Sequence, residues 1–198
     1  DRASRPRHDG HGHGHGHDDS PRDTSRNLSL IAAGSVRHGQ HDEFGMNSTT
    51  VITFLKAGLG GTVVSAIVLM GLGRVFAGSA LAAFNATSHW LFGPAAASTP
   101  GFSLGVTGTG VLTHVVACFF WGAVLVALLL FTGVRRTVPV WLCALLVGML
   151  ALVIDYGLLP EQLSPGWHLV LPGTAVFAGF LALGAGLALG ATLGRSRA

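Results

Sequence analysis

Seven of the ten histidines fall in the first 45 residues, and four of them, His11, His13, His15 and His17, alternate with glycine. Imidazoles spaced two apart on a glycine backbone can wrap Zn, Ni, Co or Cu, so this tract is one that suggests a metal by pattern alone. A transition metal is thereby a candidate cofactor, although nothing in the sequence requires one. The other three histidines, His89, His114 and His168, are scattered through an apolar chain together with a solitary aspartate, Asp155. His114 and Cys118 stand four residues apart and share one helix face, a spacing suited to a soft-metal pair. Neither Cys118 nor Cys143 belongs to a Cys-x-x-Cys unit, and the ordinary role of such cysteines is small buried filler. Residues 46–198 contain no Ser–His–Asp order, no phosphate-binding glycine loop, no His-Glu-x-x-His and no paired catalytic carboxylates. The chain is read as non-enzymatic.

What must hold these residues is set by where the charges are not. The chain has 198 residues, of which 49% are hydrophobic and only 11% charged, with a mean hydropathy of +0.56. Residues 1–45 carry six Arg and seven acids, leaving eight charges for the following 153 residues: Lys56, Arg74, Arg135, Arg136, Asp155, Glu161, Arg195 and Arg197. A soluble domain carries about 25% charged residues, so the second part is an integral membrane domain. Twelve basic residues scattered along such a chain make no stripe for nucleic acid. Residues 1–45, polar and low in complexity, read as a disordered His/Gly-rich tail. Because Met46-Asn47-Ser48-Thr49-Thr50 resembles the start of a bacterial membrane protein, the reading places the true start at Met46.

Four stretches meet the length of about 17–25 apolar residues that a bilayer demands: residues 51–72, 106–131, 138–159 and 169–193. The expected fold is therefore an all-α, four-helix transmembrane bundle. Residues 75–92 are apolar but interrupted by Ser79, Asn85, Thr87, Ser88 and His89, and are expected as an interfacial helical segment between helices one and two. With the N-terminus inside, Lys56, Arg135, Arg136, Arg195 and Arg197 share one side and Arg74 stands alone on the other. Positive residues mark the cytoplasmic side, so both termini are expected in the cytoplasm of a bacterial inner membrane. In that topology His114 lies about 12 Å and Asp155 about 6 Å below the outer boundary. His89 and His168 flank the same boundary. His89, His114, Asp155 and His168 are thus the candidate polar site, in the outer-leaflet half, where polar side chains are costly enough to require a reason. Trp90, Tyr156 and Trp167 are expected to form an aromatic belt.

Small residues recur every four positions at Ala57, Gly61 and Ser65, and again at Gly186, Gly190 and Gly194. Such spacing lets helix backbones approach closely in lipid, and the second set offers a face for a homo-oligomer. The motifs Asn85-Ala-Thr-Ser88-His89-Trp90-Leu91-x-Gly93, His114 with Phe120-Trp121, and Asp155-Tyr156-x-Leu158-x-Pro160-x-x-Leu163-x-Pro165-Gly166 carry a likeness. From residue 46 onward the chain resembles a family of small, uncharacterised bacterial inner-membrane proteins, some of which are labelled sodium:proline symporters. The resemblance implies a four-helix membrane protein with the same outer polar cluster and no assigned activity. Four spans cannot reproduce the inverted repeats of such symporters. An acidic residue expected after Phe-Trp is also missing from residues 122–130. The leading reading is an integral membrane protein of unassigned role with the lipid bilayer as its partner. A small metal-ion or solute transporter is the alternative, and a membrane haem protein a third.

Overall fold

Each long apolar run becomes one helix, and its ends are set by local capping chemistry. The computed structural model describes residues 47–194, which belong to the unit Met46–Ala198. The His-Gly tract with its proposed metal ligands, the expected start at Met46, and Arg195 and Arg197 lie outside the described residues. Helix α1, Ser48–Phe76, begins where Asn47 Oδ1 accepts the Thr49 N–H at 3.1 Å. Two short helices follow, α2 (Ala82–Thr87) and α3 (His89–Phe92). Helix α4, Leu104–Thr132, starts at Ser103, whose side chain caps the Val106 N–H. Gly133, with φ of 65°, then ends it in a left-handed turn that a β-carbon would disfavour. Helix α5 is Thr137–Gly157 and α6 is Gly173–Thr192. The sequence places the fourth span from residue 169. In the structure Trp167–Leu169 is a separate 3-10 turn, and the helix begins after Pro172.

The four long helices are each long and apolar enough to cross a membrane. Their outward faces carry large apolar side chains, such as Ile67, Leu112, Val116, Leu130 and Leu146. A bare apolar surface of this extent suits hydrocarbon and not water. The molecule is an all-α, four-helix membrane protein.

The helices run alternately up and down, and their closest approaches are made by glycine. Helix α6 packs antiparallel to α1: a β-carbon on Gly190 would collide with the Lys56 carbonyl, and one on Gly186 with that of Gly60. Gly184 and Gly148 bring α6 and α5 together in the same way. Gly122 lies against Gly58 and so joins α4 to α1. These contacts give the order α4–α1–α6–α5 around the bundle, with the α4–α5 seam the most loosely packed of the four. They also show where the small-residue stripes go. Ala57, Gly61 and Ser65 are buried within the bundle, and Gly186 and Gly190 are buried against α1 of the same chain. The expected self-association face is thus occupied within the chain at both positions, because the close approach serves the α1–α6 crossing. Gly194 instead ends the helix region at φ of 80°, beside Lys56 Nζ.

The segment between α1 and α4 is buried along α2 and exposed along most of α3. All six residues of α2 are buried, as are Ser88 and His89, whereas Trp90, Leu91 and Phe92 are exposed. The apolar interfacial helix expected from the sequence is therefore half plug and half surface. The reason is polar. Asn85, fully buried, accepts the Thr107 hydroxyl at 2.7 Å and donates to the Thr99 and Gly101 carbonyls at 3.1 Å each. An amide so engaged belongs inside protein, where all these bonds are made, and not against lipid.

Candidate functional site

The end of the bundle opposite residues 47 and 194 is where the candidate polar residues lie. There α4 and α5 stand apart and leave a cavity of about 470 Å³. One wall is α4, with Thr113, His114, Ala117, Cys118, Phe120 and Trp121, and the facing wall is α5, with Ile154 and Asp155, continued by Leu159 just beyond the helix end. Phe180 and Leu183 of α6 and Ser65 of α1 form the back. Thr87, Trp90 and the stretch 163–167 with Trp167 cover it from the loop end. Beyond Cys118 and Trp121 the bundle closes on the fully packed Leu125, Val140, Ala144 and Val147.

His114, ten residues into α4 and so about 15 Å along it, is buried on the inward face. Its Nε2 lies 3.2 Å from Ser65 Oγ and 3.6 Å from Cys118 Sγ. Ser65 Oγ donates to the Gly61 carbonyl at 2.6 Å. Ser65 Oγ thus lies between the Gly61 carbonyl and the imidazole, and the tautomer of His114 sets which atom donates in the Ser65–His114 contact. Phe84 meets the His114 ring edge-on at 5.4 Å and Trp167 lies at 6.4 Å. The i, i+4 relation read from the sequence does bring Cys118 and His114 together, and α1 adds a hydroxyl that the sequence reading assigned to packing alone.

Asp155 lines the same cavity from the opposite wall and is half-buried. It has no hydrogen-bond or ion-pair partner among the described residues. His114 and Asp155 therefore share a space without touching. The other two candidates sit elsewhere. His89 is buried, with Nδ1 3.0 Å from the Ala86 carbonyl and Nε2 3.0 Å from the Glu161 carbonyl. It clips α3 to the α5–α6 connection above the cavity. Gly166 makes this fit, because a β-carbon there would stand 2.5 Å from His89 Nδ1, and its φ of 72° also requires glycine. His168 lies on the exposed side of that connection, 3.5 Å from Glu161 Oε1 and edge-on to Tyr156.

Comparison with protein-family models, with curated proteins and with solved structures finds no match for this chain. The chemistry is thus judged on geometry. Among the described residues no group of three or more His, Cys, Asp or Glu side chains could hold a metal ion. His114 and Cys118 alone supply two donors, short of the three or four protein ligands typical of zinc sites. A bis-histidine haem does not fit either, since His114 is the one histidine in the cavity wall and both nitrogens of His89 face backbone carbonyls.

Two of the three expected belt aromatics belong to the site. Trp167 is only 4% exposed, donates its indole N–H to Thr87 Oγ1 at 3.0 Å, and lies tilted against the Phe180 ring at 5.0 Å. Its backbone N–H donates to Tyr156 Oη at 3.1 Å. Trp90 is half-exposed at the cavity mouth and donates to Thr113 Oγ1 at 3.2 Å. Thr87 and Thr113 each hold an indole in place, a role no spacing pattern in the sequence announces. What the arrangement offers is an aromatic, largely apolar chamber with the hydrogen-bonded Ser65, His114 and Cys118 at its floor and one carboxyl on its wall.

Proposed function

We propose that this protein is a non-enzymatic integral protein of a bacterial inner membrane, with both termini cytoplasmic, that binds a small, largely apolar molecule between α4 and α5 in the outer-leaflet half. The observation that carries the reading is the cavity itself. Its 470 Å³ falls among small-molecule sites of about 300–1,000 Å³, and its few convergent polar groups in an apolar lining are the usual composition of such sites. Its position in the loosest seam of the bundle gives a ligand a lateral way in from lipid. Membership of the family that the Asn85–Gly93 and Asp155–Gly166 motifs resemble is part of this proposal. The orientation is supported by Lys56 bonding to the Leu193 carbonyl near the termini, and by Arg135 in a groove with Asn47, while Arg74 bonds Gly78 at the other end. The packed core beyond Trp121 favours binding over passage through one chain, which places the transporter reading second.

Three of the four tryptophans, Trp90, Trp121 and Trp167, line the cavity. Bromobenzene, a heavy-atom quencher, should therefore quench the fluorescence of the purified protein saturably, and Trp121→Phe should remove part of the saturable fraction. Quenching that rises without saturation, as it does for free tryptophan in the same detergent, would remove the basis for the reading.

A further inference from the structure

We propose that the molecule this cavity takes is a lipophilic organic cation, an amine or quaternary ammonium with apolar substituents, held by Asp155 and the surrounding aromatic faces. The inference rests on the reading that the cavity binds a ligand and adds its charge. Asp155 is the one acidic residue in the lining, and no lysine or arginine joins it there. None of Lys56, Arg74, Arg135 and Arg136, the lysines and arginines among the described residues, lines the cavity: Lys56 bonds Leu193 O, Arg74 bonds Gly78 O, and Arg135 lines a groove with Asn47. A carboxyl at membrane depth without a partner is costly, and such residues pair with something when they work. The hydrogen-bonding groups that could have served it are engaged elsewhere: Ser65 with Gly61 and His114, Ser164 with Glu161 O, Thr87 with Ala83 O, and the Trp90 indole with Thr113. The same cavity is lined by the aromatic side chains of Trp90, Phe120, Trp121 and Trp167. Faces of indole and phenyl rings attract cations, and aromatic walls with a carboxylate are the combination that recognises alkylated ammonium groups. A neutral apolar ligand would need none of this charge, and an anion would be repelled by it. The polar floor is made by Ser65, His114 and Cys118, with Ser65 and Cys118 both meeting the His114 Nε2.

The test compares two molecules of the same shape that differ only in charge: benzyltrimethylammonium, and neopentylbenzene, in which carbon replaces nitrogen. Binding is measured by equilibrium dialysis on the full chain in a non-ionic detergent. The cation should bind saturably and more tightly than its neutral isostere. Asp155→Asn should weaken the cation about tenfold or more, a step of about 1.4 kcal/mol, and leave neopentylbenzene unchanged. Trp90→Ala, at the exposed mouth and therefore safe for folding, should also weaken the cation selectively. If neopentylbenzene binds as well as the cation, and neither variant changes the ratio, the charge inference is overturned while the cavity reading stands. If neither molecule binds saturably, both fall.

Discussion

Gly110→Ala on α4 should destabilise the bundle, and Gly108→Ala, two residues earlier on the same helix, should not. A β-carbon on Gly110 would overlap the Phe84 carbonyl oxygen and stand 2.7 Å from its carbon and 3.3 Å from Phe84 Cα. All three are backbone atoms of α2, so no side-chain rotation relieves the overlap. At Gly108 the nearest atom would be Leu104 Cδ1 at 3.9 Å, an ordinary contact. Both substitutions gain the helix preference of alanine over glycine, worth up to about 1 kcal/mol. At Gly110 that gain is opposed by overpacking, about 1–3 kcal/mol. A further cost arises because α2 cannot yield alone. Asn85 ties it to Thr107 and to the carbonyls of Thr99 and Gly101, and each bond lost costs about 1 kcal/mol. The balance is a loss of about 1–4 kcal/mol for Gly110→Ala against a small gain for Gly108→Ala. The assay is thermal unfolding of the two variants and the parent in the same non-ionic detergent, followed by circular dichroism. A loss of that size lowers the melting temperature by several degrees in a chain of this length. Equal melting of the two variants would refute the reasoning, since it would mean that α2 does not dock on α4 at Gly110.

The Ser65–His114 contact should be asymmetric: Ser65→Ala removes the hydroxyl partner of a buried imidazole, costing about 1–3 kcal/mol. His114→Leu leaves Ser65 still bonded to Gly61 O and should be neutral or stabilising in the same melt; destabilisation would refute the asymmetry. Asn85→Leu strands a buried hydroxyl and two carbonyls and should cost about 2 kcal/mol or more, with new protease cleavage between residues 94 and 103; an unchanged digest would count against the role given to this amide. Gly166→Ala should dislodge His89 from the Glu161 carbonyl and speed exchange of a cavity-bound quencher, which stopped-flow fluorescence would register. Reporter fusions after Arg136 and after Ala198 should both report cytoplasm, and a periplasmic signal at Arg136 would invert the assigned orientation.

The four spans were legible because each is a run of apolar residues longer than any soluble core helix needs, and bilayer thickness leaves such a run one solution. The boundaries were less so, because they depend on single side chains. Asn47 extends α1 by three residues beyond the apolar run, Ser103 starts α4 before Val106, and Pro172 postpones α6 past a run that is apolar throughout. Residues 75–92 show the limit of hydropathy as a guide. The polar residues that make this segment a poor span are also what bury it, since Asn85 and Thr87 find protein partners from Thr99, Gly101, Thr107 and Trp167. Those partners lie between 14 and 80 residues away in sequence, and no local pattern specifies them.

The polar cluster divides along the same line. Topology alone brings His114 and Asp155 to one end, because adjacent antiparallel helices must return there, and the structure places both on one cavity. Topology could not say that His89 would turn to the Glu161 carbonyl and His168 to the Glu161 carboxylate, since both outcomes depend on how residues 158–172 fold back. Nor could it find Ser65. The four-residue spacing with Ala57 and Gly61 has a complete packing explanation, and the helix does use that face for α6. The hydroxyl shows its second role only once α4 crosses α1 at Gly58 and Gly122 and carries His114 to within 3.2 Å of it. The crossing depends on the glycines, and the glycines carry no chemistry of their own. In this protein the residues that carry chemistry are positioned by residues that carry none, so a search for reactive side chains finds His114 but not what brings Ser65 to it.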